Sequence, residues 1–536
     1  MSSSFIGKEN FLRKSCALKS RCIYISKGLL HNPFGFLFKR KELLLLIVLA
    51  TLFTLFFSRT TSPLYHTYGY DSAAYMLAGQ GMWEGKLPYL DFALNKGPML
   101  YFLMALAQIV FRGSFGVWCF QTICCFLCLV LVERISAFLL KDAFVLRVIV
   151  SCSYLFYLAL VYEGGNLTEE YSNLFSLFAI YLFFRAIFKN ELHKKYVAIL
   201  LGMCAMSVAF IRINDIALIA AVLFCCLLNI LAKKERVGTI IRFCGYGLLG
   251  GLIITIPTIA YLWSNGLIKP MWFNYIVLNG GWLYGSFREI LLQRVTLLQT
   301  DYGMTSVFPM VIACILGLIL YRKAEEPKTM ISIFLICGST FVLISQYISP
   351  TGFFHYLITS AIIFSLTSAT LFHILIPVIS KHKMNLIVTV LVLFSIYYFE
   401  FFDANIAKLK YAVYSNNPEM IQMQMQQIEL AEEIPVEDKN SVLAIDVPLS
   451  WYAINNIYPY EPWVFLRWAL ARSQQLTLNF EYRFTNEPPK WVVLKQTDIL
   501  KQMGSSKAED FFIKNYINKQ TNAFGTLYKY EPLKES

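Results

Sequence analysis

Three residues in one polar stretch could do chemistry together. Asp71, Asp91 and Lys96 all fall within residues 59–97, between two apolar segments. A carboxylate at the edge of a membrane helix can take the proton of an incoming hydroxyl or amine. A nearby ammonium can steady an anionic group as it departs. Lys96 also heads the apolar stretch Pro98–Phe111, where a helix N-terminus would add to its pull on a phosphate. Each residue has a plainer reading as well. Asp71 can cap a helix through Ala73–Gly79. Asp91 can close the turn after Leu87-Pro88-Tyr89. Lys96 can simply snorkel toward water.

Further groups of the same kind follow. Glu163-Gly164-Gly165-Asn166-Leu167-Thr168-Glu169-Glu170 puts three acids in eight residues with no cation. That invites a positive partner or a metal, and Glu169 joins Asp71 as a catalytic candidate. The plainer reading is a cap, with Thr168 as N-cap and Glu169 and Glu170 in the first turn. Arg212 and Asp215 stand between two apolar runs, where ionisable residues commonly mark function. They can pair with each other, or Arg212 can bind phosphate. His355 and Tyr356 open a later apolar run and complete the binding candidates: Lys96, Arg212, His355, Tyr356 and Asp91. Two other patterns carry no chemistry. Gly245-x-Gly247-x-x-Gly250 lies inside an apolar run and reads as helix-packing glycine. Cys125-x-x-Cys128 is likewise embedded in an apolar helix, and the sequon Asn166-Leu167-Thr168 lies too close to the membrane to be modified.

The elements that must position these residues are membrane helices. The chain has 536 residues, is 57% hydrophobic and only 15% charged, and has a mean hydropathy of +0.54. A soluble chain would carry about 25% charged residues. Of thirteen cysteines, Cys16 and Cys22 lie in the basic tail and the rest in apolar segments, which is no disulfide framework. Runs near 20 apolar residues predict eleven spans: 42–58, 115–140, 143–162, 171–188, 196–212, 214–232, 239–263, 303–321, 329–348, 354–378 and 385–402. The stretch 98–111 is short for a span and is expected to lie at the interface. Charge supports this count. The tail 1–41 holds nine Lys and Arg, every short loop on its side is basic, and loops 163–170 and 349–353 hold none. A twelfth span would turn basic loops outward, against the positive-inside rule. The tail is therefore expected in the cytoplasm ahead of an uncleaved first span. Loops 59–114, 163–170 and 264–302 and everything after 402 are expected on the opposite side. Trp272, Phe273, Trp282 and Tyr284 of loop 264–302 can stack on sugars or sit in an interfacial belt.

From Asp403 the composition turns polar. Asn417-Pro418-Glu419 predicts a helix start running to about Glu433. Short strands are expected at Ser441–Val447 and Trp491–Lys495, and helices near 461–474 and 508–518. The fold class is an all-α polytopic membrane protein with a small extracytoplasmic α/β unit, divided as 1–41, 42–402 and 403–536.

At these residues the chain resembles the GT-C superfamily of polyprenyl-phosphate-sugar-dependent glycosyltransferases. It looks most like the dolichyl-phosphate-mannose protein mannosyltransferases and the lipid A aminoarabinose transferases. The resemblance runs through Asp71-Ser72-Ala73-Ala74-Tyr75, Gly85-Lys86-Leu87-Pro88-Tyr89-Leu90-Asp91, Asn95-Lys96-Gly97-Pro98, Asn166-Leu167-Thr168-Glu169 and Phe354-His355-Tyr356. It implies a catalytic Asp71, a phosphate-binding Lys96, a non-cytoplasmic site and a variable C-terminal unit. Asn95 and Gly97 depart from the family pattern, which usually has an acid before the lysine and two prolines after it. Glu169 stands where relatives often have Asp. The expected partners are a polyprenyl-phosphate-linked sugar, an extracytoplasmic glycan, lipid or protein acceptor, and membrane lipid, with no nucleic acid. No cofactor is firmly implied, and a divalent metal stays open. The expected location is the bacterial plasma membrane. The alternatives are a lipid-linked-sugar flippase or other transporter, or a polysaccharide polymerase or ligase using lipid-diphosphate donors.

Overall fold

The computed structural model describes residues 40–64, 70–280, 287–323, 327–348, 352–379, 418–463, 466–495, 498–502 and 504–532. The expected span 385–402, nearly all of the tail 1–41, and Trp282 and Tyr284 lie outside these residues. The chain divides into two compact units, 1–49 and 50–536. Helix α1 (Arg40–Phe57) begins in the first and ends in the second.

Apolar runs become helices where expected. After α2 (Tyr70–Trp83) and α3 (Pro98–Ala107) come α4 (Gly113–Leu140), α5 (Phe144–Val161), α6 (Thr168–Phe188) and α7 (Lys195–Ile211). A 3-10 turn, Ile213–Ile216, leads into α8 (Ala217–Ala232), followed by α9 (Val237–Ser264). Segment 268–280 is helical with a π-helical stretch, Trp272–Val277. Next come α10 (Phe287–Leu298), α11 (Asp301–Lys323), α12 (Lys328–Ile348), the 3-10 turn Phe354–Leu357 and α13 (Ser360–Ile379).

Among the described residues, seven helical stretches are long and apolar enough to cross a membrane: α4, α5, α6, Ile213–Ala232, α9, Asp301–Arg322 and Lys328–Tyr347. The protein is an integral membrane protein. Helices α7 and α13 are apolar but shorter. Helix α3 has ten residues, about 15 Å, half of what a bilayer's core requires. It therefore cannot span, as its length in the sequence suggests. Of the glycines in 245–250, Gly247 and Gly250 pack against α7. A Cβ on Gly250 would strike the Ile199 carbonyl of α7, and one on Gly202 would strike the Gly247 carbonyl of α9. Gly245 faces open space.

The C-terminal residues form an α/β unit. It contains α14 (Pro418–Glu432), β1 (Val442–Ile445), α15 (Ser450–Ile454), α16 (Leu466–Leu470), α17 (Gln474–Asn486), β2 (Trp491–Leu494), α18 (Ile499–Gln502), α19 (Ser506–Asn515), β3 (Tyr516–Thr521) and β4 (Thr526–Tyr530). The sheet order is β1-β2-β4-β3, with β1 and β2 parallel and the other pairs antiparallel. Helix α14 and the first two strands fall where the sequence predicts them. The helix expected over 508–518 ends at Asn515, and the chain turns directly into β3. The hairpin is not anticipated because Tyr516–Thr521 is mostly exposed and so lacks an alternating apolar pattern.

Period-2 alternation divides the sheet's side chains between two cores. Val442, Trp491, Val493 and Leu527 pack with Trp451 and with Ala73, Ala74 and Leu77 of α2. Leu443, Ile445, Val492 and Leu494 pack with Phe480, Phe484 and Phe512. The α/β unit thus shares a core with the helix that carries Asp71. Backbone pairing adds to this: the Ala93 N–H donates to the Pro462 carbonyl, and Ala93 bridges Trp463.

Candidate active site

The site grows from the N-terminal turn of α2, where Asp71 lies half-buried. A carboxylate there faces the positive end of the helix dipole. The Tyr75 hydroxyl, one turn on, donates to Asp71 Oδ2 at 3.1 Å. Burial, with the Asp71 charge added, pushes the Tyr75 phenol well above its ordinary pKa, so it stays protonated and a donor.

Loop 163–166 holds that turn in place. Glu163, Gly164, Gly165 and Asn166 all take positive φ, at 42°, 95°, 81° and 56°. Glycines suit the middle two positions, since they carry no Cβ. The reversal lets Asn166 Nδ2 reach the Ser72 carbonyl at 3.0 Å, while Tyr171 donates to Asn166 Oδ1 at 2.6 Å. The Ser72 hydroxyl donates to Thr60 Oγ1 at 2.8 Å, and Thr60 Oγ1 donates to the Gly164 carbonyl at 3.0 Å. Glu170 is used locally. It accepts from the Leu167 N–H at 2.8 Å and from Gln121 Nε2 at 3.0 Å, and also takes the Tyr162 hydroxyl. Leu167 is therefore the residue ahead of the helix, and the expected N-cap Thr168 is already inside α6.

The second cluster meets the first from α7. Arg212 leaves the C-terminus of α7 in an extended conformation, and its guanidinium pairs with Glu169, whose side chain is 1% exposed. Thr168 donates to the other Glu169 oxygen at 2.9 Å. The same guanidinium stacks over the Tyr356 ring, 4.1 Å from its centroid. Glu169 thus acts on Arg212, which is the positive partner its acid-rich loop calls for. The plain pairing of Arg212 with Asp215 gives way to this contact, although Asp215 is buried within electrostatic reach of Arg212.

Lys96 completes the cluster. The Gly97 N–H donates to the Ile211 carbonyl at 3.1 Å, and a Cβ on Gly97 would collide with the Phe210 carbonyl. This close approach requires a glycine at position 97 and brings the neighbouring Lys96 to the end of α7 that carries Arg212. Asn95 is held as well: its Nδ2 donates to Asn279 Oδ1 at 3.3 Å, and Asn279 Nδ2 donates back to the Asn95 carbonyl at 2.8 Å. The Lys96 ammonium makes no hydrogen bond or ion pair with the described residues. Burial pushes its pKa below the ordinary lysine value and nearby Arg212 pushes the same way, while Asp71 opposes both.

His355 meets Glu163 through Nδ1, and the Phe354 N–H donates to the same carboxylate at 3.3 Å. Burial of Glu163 works against its ionisation, yet these bonds win and hold its pKa below the ordinary value. Asp91 sits apart. It is exposed and accepts from the Leu87 N–H at 2.6 Å, closing its own turn. Among the described residues no three His, Cys, Asp or Glu side chains converge as metal ligands.

No protein-family model matches the sequence, and no curated protein is similar to it. Among solved structures, the chain is similar to ArnT from Cupriavidus metallidurans bound to undecaprenyl phosphate. The TM-score is 0.57 at 11% identity, over 91% of this chain and 98% of that one. The chain shares the fold of that structure. The 9% of this chain left uncovered is shorter than the described C-terminal unit, so the likeness includes at least part of that unit. Three residues position the site in ways that the sequence does not reveal: Tyr75, Asn166 and Asn279. Tyr75 and Asn166 stand inside resembling motifs. Asn279 carries no local signal, because its meaning comes from a partner 184 residues away.

Proposed function

We propose that the chain is a membrane glycosyltransferase that moves a sugar from a polyprenyl-phosphate carrier to an extracytoplasmic acceptor, with inversion. The gathering of Asp71, Arg212 and a Lys96 ammonium that is unpaired among the described residues, at one end of the bundle, carries this reading. Asp71 takes the proton of the acceptor hydroxyl or amine as that atom attacks the anomeric carbon. The carbon–oxygen bond to phosphate breaks on the opposite face. Lys96 and Arg212 meet the charge that develops on the departing phosphate. Glu169 and Tyr356 hold the guanidinium in place, and Glu163 holds His355 beside it. Asp91 serves the loop that leads to Lys96. The ArnT structure of the same fold contains undecaprenyl phosphate, which supports a polyprenyl-phosphate donor.

The charge pattern of the loops supports a cytoplasmic N-terminus in a bacterial plasma membrane, with the site and residues 403–536 on the other side. Cysteine introduced at Asn456 in a cysteine-free background would then react with an impermeant reagent in intact cells. Protection of that cysteine until lysis would reverse the topology.

A radiolabelled polyprenyl-monophosphate sugar, given to the purified protein with a cell-envelope acceptor fraction, tests the reaction. Label in the acceptor fraction, lost in Asp71→Asn, is the expected result. Label moved only across a vesicle membrane would indicate a flippase. Transfer only from a diphosphate donor would indicate a polymerase or ligase. Chelating divalent cations in the same assay reads whether a metal takes part.

A further inference from the structure

The opposite end of α2 borders a second polar space. A cavity of about 500 Å³ is lined by Gln80, Trp83, Glu84, Gln108, Arg112 and Asn456, among others. None of these residues belongs to the Asp71 cluster. Gln80 lies nine residues along α2 from Asp71, roughly 13 Å at 1.5 Å per residue. The cavity's size suits a small ligand.

Its chemistry is specific. Glu84 and Arg112 balance, so the lining is not built for an anion. Three carboxamides, on Gln80, Gln108 and Asn456, each offer a donor and an acceptor, which match hydroxyl groups that both donate and accept. Gln108 is the decisive residue. It is 1% exposed, its Oε1 is taken by the Gly113 N–H at 2.7 Å, and its Nε2 is buried without a partner among the described residues. A buried donor left unmade is costly. Trp83 is 44% exposed at the wall, with the Arg112 guanidinium 5.9 Å from its ring centroid. An indole face is what the C–H side of a sugar ring stacks on. The α/β unit braces this end of α2: Asn456 lines the cavity, Tyr458 donates to Glu84 Oε2 at 2.7 Å, and Lys86 sits over the Tyr458 ring.

The rim is apolar. Ile109, Val110, Phe111 and Phe115 flank Arg112 in sequence and are all exposed. In a membrane protein, such residues at the start of a spanning helix meet lipid. A ligand held here would combine a polyol head with an apolar anchor. We propose that this cavity is a saccharide-binding site, separate from the transfer site, that holds the sugar head of a membrane glycolipid.

The full-length protein, extracted from its native membrane in a styrene–maleic acid polymer, tests this directly. Mass spectrometry measures sugar-bearing lipid per protein against bulk membrane. Wild type and Asp71→Asn should be equally enriched. Trp83→Ala and Gln108→Leu should each lose about tenfold, the effect of one lost partner group of ordinary strength, while Trp83→Phe keeps most of the enrichment. If Trp83→Ala fails to fold, Gln108→Leu decides, since it keeps the side chain's approximate shape. Bulk-level sugar lipid in wild type would overturn the proposal, as would full retention in Gln108→Leu. Loss in Asp71→Asn alone would place the lipid in the transfer site and also overturn it. None of these three results bears on whether Asp71 catalyses transfer.

Discussion

At the residue scale, the roles proposed for the three charged groups predict separable losses. Asp71→Asn keeps the shape and the Tyr75 contact but removes the base. Transfer should fall by about 10²–10⁴-fold, with the variant's thermal unfolding unchanged. Lys96 reports through pH. Its depressed pKa means that the ammonium is lost at a lower pH than for a solvated lysine. The alkaline limb of kcat/KM should therefore fall below the ordinary lysine range, and Lys96→Arg should move it upward. An alkaline limb that Lys96→Arg leaves in place would remove Lys96 from phosphate binding. Arg212 is different because its partner is buried. Arg212→Gln leaves the Glu169 charge uncompensated at 1% exposure and should cost about 3–5 kcal/mol in stability. Adding Glu169→Gln should restore most of the stability and none of the transfer, as read by thermal unfolding and the radiolabel assay.

Elements deliver these residues through close backbone approaches. Gly97 touches the end of α7, and the loop with four positive φ values ties α6 to α2. Gly97→Ala should push Lys96 away from Arg212 and reduce transfer strongly while the protein still inserts. Gly245→Ala, on an open face, is the matched control and should change neither activity nor unfolding temperature. Equal activity in both variants would mean that the Gly97 contact does not position Lys96.

For the whole molecule, the α/β unit and the site-bearing helix share one core, so the stability of the unit bears on the site. Glu461 is a pressure point. It is fully buried with Arg483 as its partner, and burial, only partly offset by that arginine, raises its pKa to about 7. In the unfolded chain it ionises near the ordinary value. Between roughly pH 4.5 and 7 the unfolded state therefore holds fewer protons on this group, and stability declines as pH rises. Glu461→Gln should flatten that decline and raise the unfolding temperature at neutral pH. An identical pH profile in the variant would count against the buried carboxyl as its source.

Apolar run length and the placement of Lys and Arg were enough to identify a polytopic membrane protein, to deny 98–111 a crossing, and to place Asp71, Lys96 and Arg212 among the reactive candidates. Those are local properties, since hydrocarbon thickness and the cost of desolvating charge act on any segment wherever it folds. The roles within the cluster are not local. Glu169 became the partner of Arg212, and Asp91 withdrew into its own turn. Asn279 came to support Asn95 across 184 residues, and Glu163 to hold His355 across 192. Only helix packing brings such groups within the few ångströms at which hydrogen bonds and ion pairs act, so tertiary structure alone decided which acid stayed available beside Lys96.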